Sequence, residues 1–158
     1  MYKNLYLKKG KEESLKRFHP WIFSGAVANI DDGVEEGEIV RVMTSSGDFI
    51  AVGMYQIGSI AVRVLSFRDV QIDADFWVAR LQSAWDMRTA IGLIGRQDNN
   101  MFRLVHGEGD NLPGLIIDCY GDTAVMQAHS VGMHLVKNDI CEALVKVSGG
   151  GAAVYRMD

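Results

Sequence analysis

Three short runs of β-forming residues, joined by tight turns, constrain the fold of this chain more than any other feature. The runs are Gly37 to Met43, Phe49 to Tyr55 and Ile60 to Leu65. Strands this short, with glycine, serine and aspartate between them, predict a small antiparallel sheet or barrel. Gly53 lies inside the second run, where a glycine indicates a bulge or bend of the kind that helps a barrel to close.

The residues before these runs predict a strand and a short helix. Residues 4–8 alternate enough to form a strand, and residues 12–18 fit one or two helical turns. His19-Pro20 should stop the helix, because a proline disfavours helical backbone at the residue before it. An apolar run, Trp21-Ile22-Phe23, follows.

The second half of the chain alternates between helical and strand patterns. Asp73 is a plausible N-cap for a helix from Ala74 to about Leu93, and Ser130 for one that reaches about Val147. Apolar spacing assigns inward-facing stripes to both helices, namely Trp77, Leu81, Ala84, Met87 and Ile91 in the first and Met133, Val136, Ile140, Leu144 and Val147 in the second. Strands are predicted at 102–105, 115–118, 123–128 and from 152 to 157.

The polar stretch at 66–73 predicts a division into two domains, residues 1–69 and residues 70–158. The last predicted strand runs into the end of the sequence without an evident partner. We therefore expect the chain to be a fragment, or a later part of the protein to be missing.

Charge is distributed unevenly along the chain. The net charge is -4, yet residues 1–22 hold six cationic and two acidic side chains and the remainder is correspondingly acidic. A basic head on an acidic body is typical of a surface that meets a polyanion, although ordinary solvated lysines would give the same count. The candidate RNA-binding residues are Lys9, Lys11, Lys16, Arg17, His19 and Trp21. Trp21 is alternatively a core anchor beside Ile22 and Phe23.

No catalytic, cofactor-binding or metal-binding residue is predicted. The glycines of Gly107-Glu108-Gly109 precede a β-branched strand instead of a helix, which excludes the usual nucleotide-binding loop. Cys119 follows Asp118, whose charge opposes thiolate formation, so Cys119 should be a poor nucleophile. Glu108, Asp110 and Asp118 remain open between catalytic use and acceptance of backbone N–H groups in turns.

The remaining patterns also argue against a metal and a membrane. His129 and His134 are five residues apart, which does not place two ligands on one helical face, and Cys119 and Cys141 show no CxxC spacing. No apolar run approaches the roughly 18 residues of a membrane span, and the N-terminus has no apolar stretch of signal-peptide length. These patterns predict a cytoplasmic location.

Two stretches resemble one enzyme family. Residues 9–27, KGKEESLKRFHPWIFSGAV, and residues 103–118, RLVHGEGDNLPGLIID, resemble class I S-adenosylmethionine-dependent methyltransferases that modify cytosine C5 in large-subunit ribosomal RNA. The stretches occur in the family's order and at plausible spacing, and together they extend across most of the chain.

The resemblance implies an α+β chain built from family domains. The first would be a small PUA-like β-barrel that binds RNA, and the second a truncated central domain of strand-strand-helix-strand-strand type, entered through a helix. A Rossmann-like domain would bind S-adenosylmethionine and carry a catalytic cysteine that follows a proline. The prolines here are Pro20 and Pro113, and neither precedes a cysteine. We therefore expect the cofactor only in a full-length parent.

The sequence thus predicts the RNA-binding N-terminal portion of a 23S rRNA (cytosine-C5) methyltransferase, with large-subunit rRNA as its partner. Two alternatives stay open. One is a self-contained PUA-type RNA-binding module, and the other is a protein-interaction scaffold in which the basic head is incidental. A homodimer also stays open.

Overall fold

The structure is a computed structural model that describes residues 2–150 in full and the backbone of residues 152–156. The chain divides into two compact units, Met1–Gln71 and Ile72–Asp158. None of the described helices is both long enough and apolar enough to cross a bilayer.

The first unit is built on one six-stranded mixed sheet. Its strands are β1 (Lys3–Leu7), β2 (Trp21–Phe23), β3 (Val27–Ile30), β4 (Ile39–Met43), β5 (Phe49–Tyr55) and β6 (Ile60–Ser66). The spatial order is β2-β6-β5-β4-β1-β3, in which β1 and β4 are parallel and all other neighbours are antiparallel. A short helix, α1 (Glu13–Lys16), lies between β1 and β2, and a 3-10 turn at Ser24–Ala26 leads into β3.

Gly53 is where this sheet bends. The register between β5 and β6 shifts between Val52 and Gly53, as the sequence pattern predicted. A Cβ at Gly53 would lie 2.3 Å from the carbonyl oxygen of Arg63, so only glycine allows the two backbones to approach this closely.

Alternating side chains fill the core of the first unit. Strands β4 and β5 each send apolar residues inward, which is the expected use of a period of two. The buried members of this core are Leu5, Leu7, Leu15, Ile22, Val40, Val42, Ala51, Val62 and Val64. Leu15 anchors α1 on the sheet, because it is the buried residue of that helix.

The second unit combines helices with a four-stranded sheet. Its elements are α2 (Ala74–Ala90), β7 (Met101–His106), β8 (Leu115–Tyr120), β9 (Thr123–Ala128), α3 (Val131–Leu135), α4 (Lys137–Ser148) and β10 (Ala152–Arg156). The sheet order is β10-β9-β8-β7, with β9 and β10 parallel and the other neighbours antiparallel. Helices α3 and α4 form the crossover between the parallel pair, and α2 packs against α4.

The α+β class is confirmed, and several elements differ from prediction. Strand β3 was missed, because its residues Val27–Ile30 expose two of four side chains and show no clear alternation. The helix predicted to reach Leu93 ends at Ala90. The helix predicted from Ser130 is interrupted at Val136, whose ψ of 13° leaves the helical range.

The two predicted helix stripes are correct only in part. Trp77, Leu81 and Ala84 are buried, but Met87 and Ile91 are more than half exposed because they lie beyond the packed stretch of α2. In the second pattern Met133, Ile140 and Leu144 are buried, whereas Val136 and Val147 are only partly buried. Strand β10 pairs with β9, while Met157, the last residue of the predicted strand, lies outside the described residues.

Candidate nucleic-acid interface

The connection between β1 and β2 carries most of the cationic side chains of the first unit. We call residues 8–19 the basic segment. It leaves β1, turns at Gly10, whose φ is +79°, and continues through α1. Lys8 is held against the sheet, since its Nζ donates to the carbonyl oxygen of Gly25 at 2.9 Å.

Three cations of the basic segment are available to a ligand. Lys9, Lys11 and Arg17 are exposed and form no ion pair within the described part of the chain. Cations of this kind contact phosphate oxygens in nucleic-acid complexes. Their common origin in one short connection places three positive charges on the same part of the first unit.

Lys16 differs from the other predicted cations. Its Nζ lies 2.7 Å from Oε1 of Glu13, one turn earlier in α1. The hydrogen bond and the positive charge of Lys16 lower the pKa of Glu13, and the same contact raises the pKa of Lys16, so both groups are charged at neutral pH. The ion pair with Glu13 therefore reduces the positive charge that Lys16 presents to a phosphate.

Strand β2 presents an aromatic face beside the basic segment. Alternation along the strand sends Ile22 into the core, where it is 3% exposed, and leaves Phe23 50% exposed. The rings of His19, Trp21 and Phe23 lie 6.1 to 6.3 Å apart between centroids. His19 Nδ1 accepts a hydrogen bond from the backbone N–H of Trp21 at 3.1 Å, which fixes the imidazole at the edge of this face.

Trp21 itself is only partly buried and contributes to the surface. The alternative of a fully buried anchor beside Ile22 and Phe23 does not describe it. Of those three residues only Ile22 belongs to the core.

A groove joins the aromatic face to one of the free cations. It has a volume of about 350 Å³, and its walls include Lys11, Ser14, Trp21, Phe23 and Gly25. A groove lined by a lysine and two aromatic residues is suited to an unpaired nucleotide, whose base stacks while its phosphate meets the ammonium group.

The structure brings together part of the predicted set. Lys11 and Trp21 line the groove and His19 contacts its aromatic wall, whereas Lys9, Lys16 and Arg17 do not line it. Sequence reasoning missed Phe23 and Ser14. The signal for Phe23 was available, because residues two apart on a strand share a face.

The glycine-rich loop of the second unit is closed by its own charges. Residues Gly107–Asp110 form a 3-10 turn, and the Asp110 carboxylate accepts the backbone N–H of His106 at 2.6 Å. The same carboxylate binds the Arg88 guanidinium through a second contact, from Nη2, of 2.8 Å. The loop leads into strand β8 and not into a helix, so it lacks the helix N-terminus that a cofactor-binding loop supplies.

The acidic residues near this loop have structural partners. Asp118 accepts two hydrogen bonds from Arg103, at 2.8 and 3.0 Å, and Asp110 is an N–H acceptor as the second interpretation proposed. Burial and the Asp118 charge raise the pKa of Cys119 to about 11, which confirms that this thiol is a poor nucleophile. Among the residues that the structure describes, no cluster of three histidine, cysteine or carboxylate side chains is suited to a metal ion.

A comparison with known protein families finds a match within the first unit. The sequence profile of the PUA-like domain family matches residues 5–67. The match covers 63 of the 158 residues, all of them in the first unit. The PUA-like β-barrel expected from the resemblance is therefore confirmed, in the form of the open six-stranded sheet.

Relatives extend the similarity through the second unit. The ribosomal RNA large subunit methyltransferase I of Erwinia tasmaniensis is 40% identical over 156 residues, which is 98% of this chain and 39% of that protein. The Klebsiella pneumoniae protein of the same name is 39% identical over 160 residues, 100% of this chain and 40% of its own length. The chain thus spans about two-fifths of the length of these curated relatives.

A solved structure shares the fold across both units. A putative S-adenosylmethionine-dependent methyltransferase from Streptococcus mutans superposes with a TM-score of 0.84 at 19% identity, over 99% of this chain and 41% of that one. At this identity the likeness shows the fold alone. The same folds therefore occur within a longer protein.

Proposed function

We propose that this chain is the RNA-binding portion of a methyltransferase that acts on large-subunit ribosomal RNA. The observation that carries the proposal is the groove of the PUA-like domain, which Lys11 lines together with Trp21 and Phe23. Lys9 and Arg17 add unpaired cations on the same connection. The relatives whose names state this activity align with nearly the whole chain, which supports the assignment of the partner.

The groove divides the work of binding between two kinds of contact. Phosphate contacts from Lys9, Lys11 and Arg17 supply affinity that does not depend on sequence. Stacking on Trp21 and Phe23 requires an accessible base face, so the site should prefer a loop, bulge or single-stranded end over a continuous duplex.

We further propose that the parent reaction belongs to the cytosine-C5 class, as the resemblance implies. The catalytic cysteine and the S-adenosylmethionine site of that class would lie outside these 158 residues. Two observations support the second point. The loop at Gly107–Asp110 leads into a strand instead of a helix, and burial raises the pKa of the Cys119 thiol to about 11.

The test of RNA binding is a titration of the whole chain with a large-subunit rRNA fragment that contains a single-stranded loop. Wild type should bind at low salt and lose affinity steeply between about 50 and 200 mM salt. Lys9→Ala/Lys11→Ala/Arg17→Ala should reduce the slope of log K against log salt by about 2 to 3, since each phosphate contact contributes about 1. Phe23→Ala should weaken binding of the loop at every salt concentration, because it removes a stacking surface.

The substitutions of the basic segment have a control in the second unit. Lys146→Ala removes an equally exposed lysine from α4 in the second unit and should leave the salt slope unchanged. Absence of RNA binding at low salt would contradict the proposal and favour the protein-interaction scaffold. Tight calorimetric binding of S-adenosylmethionine to this chain would contradict the placement of the cofactor.

A further inference from the structure

The second unit contains a cavity that neither the RNA-binding groove nor the proposed methyl transfer uses. It has a volume of about 310 Å³ and lies among the end of α2, the loop at residues 91–100, the β8–β9 turn and α4. This size falls at the lower end of ordinary small-ligand sites. Every residue around it belongs to the second unit.

The walls of the cavity are apolar and partly aromatic. Trp85 and Phe102 meet edge to face, with ring centroids 6.5 Å apart and planes at 73°. Ala124 and Leu144 are buried and complete the inner surface. A flat ring that entered this space would replace solvent against the indole and phenyl groups, which favours an aromatic or heteroaromatic ligand.

The rim of the cavity is polar and contains both donors and acceptors. Asn99, Asn100, Asp122 and Thr123 contribute to it. The Asn99 side chain already accepts the backbone N–H of Met101, at 2.9 Å. The Asn100 side chain makes no hydrogen bond to another described residue, so its amide is available to a ligand.

The rim is held in place by the backbone. The N–H of Gly121 donates to the carbonyl oxygen of Asn100 at 2.9 Å, which ties the loop to the β8–β9 turn. Gly121 has φ +64°, and a Cβ there would lie 3.3 Å from Nδ2 of Asn100. The glycine therefore leaves room for the Asn100 amide directly beside the turn that carries Asp122.

The charges at the rim restrict the class of ligand. The Asp122 carboxylate disfavours a phosphate at the mouth, and Arg96 is engaged by Asp98 at 2.8 Å. A carboxylate accepts hydrogen bonds from exocyclic amino groups, while a side-chain amide can donate to a ring nitrogen or carbonyl and also accept. This pair of groups complements a nucleobase edge that bears an amino group. An apolar protein side chain would leave both unused.

We propose that this cavity binds a single unpaired nucleobase with an exocyclic amino group, namely adenine, cytosine or guanine. The ring lies against Trp85 and Phe102, and its polar edge meets Asn100 and Asp122. The site is separate from the groove of the PUA-like domain and does not depend on the lysines there. It gives the second unit its own contact with RNA.

The test is a ¹⁵N–¹H NMR titration of the whole chain with AMP, CMP, GMP and UMP, each to about 10 mM, the range in which ligands of this size bind measurably. The backbone amides of Asn100, Gly121 and Thr123 should shift with the first three nucleotides. UMP, whose base has no amino group, should bind several-fold more weakly, because Asp122 then faces a carbonyl oxygen.

Variants connect the shifts to the cavity. Asn100→Ala should weaken binding about fivefold, as expected for one hydrogen bond. Its matched control, Asn138→Ala, alters an exposed asparagine of α4 and should change nothing. Ala124→Leu should fill the cavity and abolish the shifts, provided that its spectrum shows a folded chain. If Ala124→Leu does not fold, Asn100→Ala alone tests the site.

Three results would overturn the proposal. They are the absence of shifts around the cavity, equal binding of UMP and CMP, and binding that Asn100→Ala leaves unchanged. Saturation by indole without any response to nucleotides would assign the cavity to an aromatic side chain of a protein partner instead. Lys9→Ala/Lys11→Ala/Arg17→Ala should leave the nucleotide shifts intact, so failure of this site and failure of the RNA-binding groove are distinguishable.

Discussion

The basic segment and the second unit differ in how their cationic side chains are paired. In the basic segment, Lys9, Lys11 and Arg17 are exposed without acidic partners in the described chain. In the second unit, Arg88, Arg96 and Arg103 each bind an aspartate. Residue type alone therefore does not identify a polyanion-binding surface. The distribution of partners does.

The difference follows from position in the fold. Arg88 and Asp110 are 12% and 8% exposed in their side chains, so each charge requires the other where water has little access. The lysines of the basic segment are solvated and can remain unpaired at little cost. We expect the paired charges to control stability and the unpaired ones to control binding.

The largest expected effect is on the buried pair. Asp110→Ala should destabilise the chain by about 3 to 5 kcal/mol, because it leaves the Arg88 guanidinium buried and uncompensated and removes the acceptor of the His106 N–H. Urea denaturation followed by circular dichroism measures the change. Asp98→Ala, which breaks an exposed pair with Arg96, is the control and should leave the midpoint unchanged within error. Equal losses in the two variants would remove the distinction between buried and exposed pairs.

Sequence patterns predicted elements well where one face is buried and one is not. Strands β5 and β9 match their predicted bounds, because tight turns delimit both. The bend at Gly53 was also predictable, since a glycine inside a strand has few other uses. In contrast, β3 was missed because its pairing with β1 depends on residues distant in sequence, and Met87 and Ile91 were misplaced because periodicity cannot show where packing against a helix ends.

The sequence predicted which cationic residues contribute to the candidate site, but not how they are placed in space. The cluster of cations drew attention to residues 9–21, but only coordinates show that Glu13 engages Lys16 and that Lys11 and Trp21 line one groove. Local spacing shows that Glu13 and Lys16 lie on one helical face, yet the groove needs α1 and β2 to pack together. The cavity of the second unit had no signal in sequence, because the residues that form its walls are spread from Trp85 to Ser148.

The second expected effect concerns Asp118, which is paired with Arg103 and still acts on a neighbouring thiol. Asp118 binds Arg103 and still contributes, after burial, to raising the pKa of Cys119 to about 11. The folded state therefore favours the protonated thiol. Stability from this source is complete below the unfolded pKa, near the model-compound value of 9.0, and is lost as pH rises toward 11.

Two measurements test this pH dependence. The free energy of unfolding should decrease between pH 9 and pH 11, and Cys119→Ala should show a smaller decrease over the same interval. Iodoacetamide should alkylate Cys119 in the folded chain more slowly at pH 8.5 than it alkylates the unfolded chain, by about tenfold or more. Alkylation of the folded and unfolded chains at one rate would show that neither burial nor Asp118 protects the thiol.

The smallest expected effect concerns the ion pair between Glu13 and Lys16, which lies within the basic segment. Glu13→Gln frees the Lys16 ammonium, so RNA binding should strengthen slightly and the slope of log K against log salt should increase by a fraction of the roughly 1 that a full phosphate contact contributes. Lys16→Ala should decrease the slope by less than Lys11→Ala does, because Glu13 already neutralises part of the charge that it removes. Fluorescence anisotropy across a salt series resolves these differences. Equal effects of Lys16→Ala and Lys11→Ala would mean that the pair opens when RNA binds. Lys16 would then contribute as much to RNA binding as an unpaired lysine.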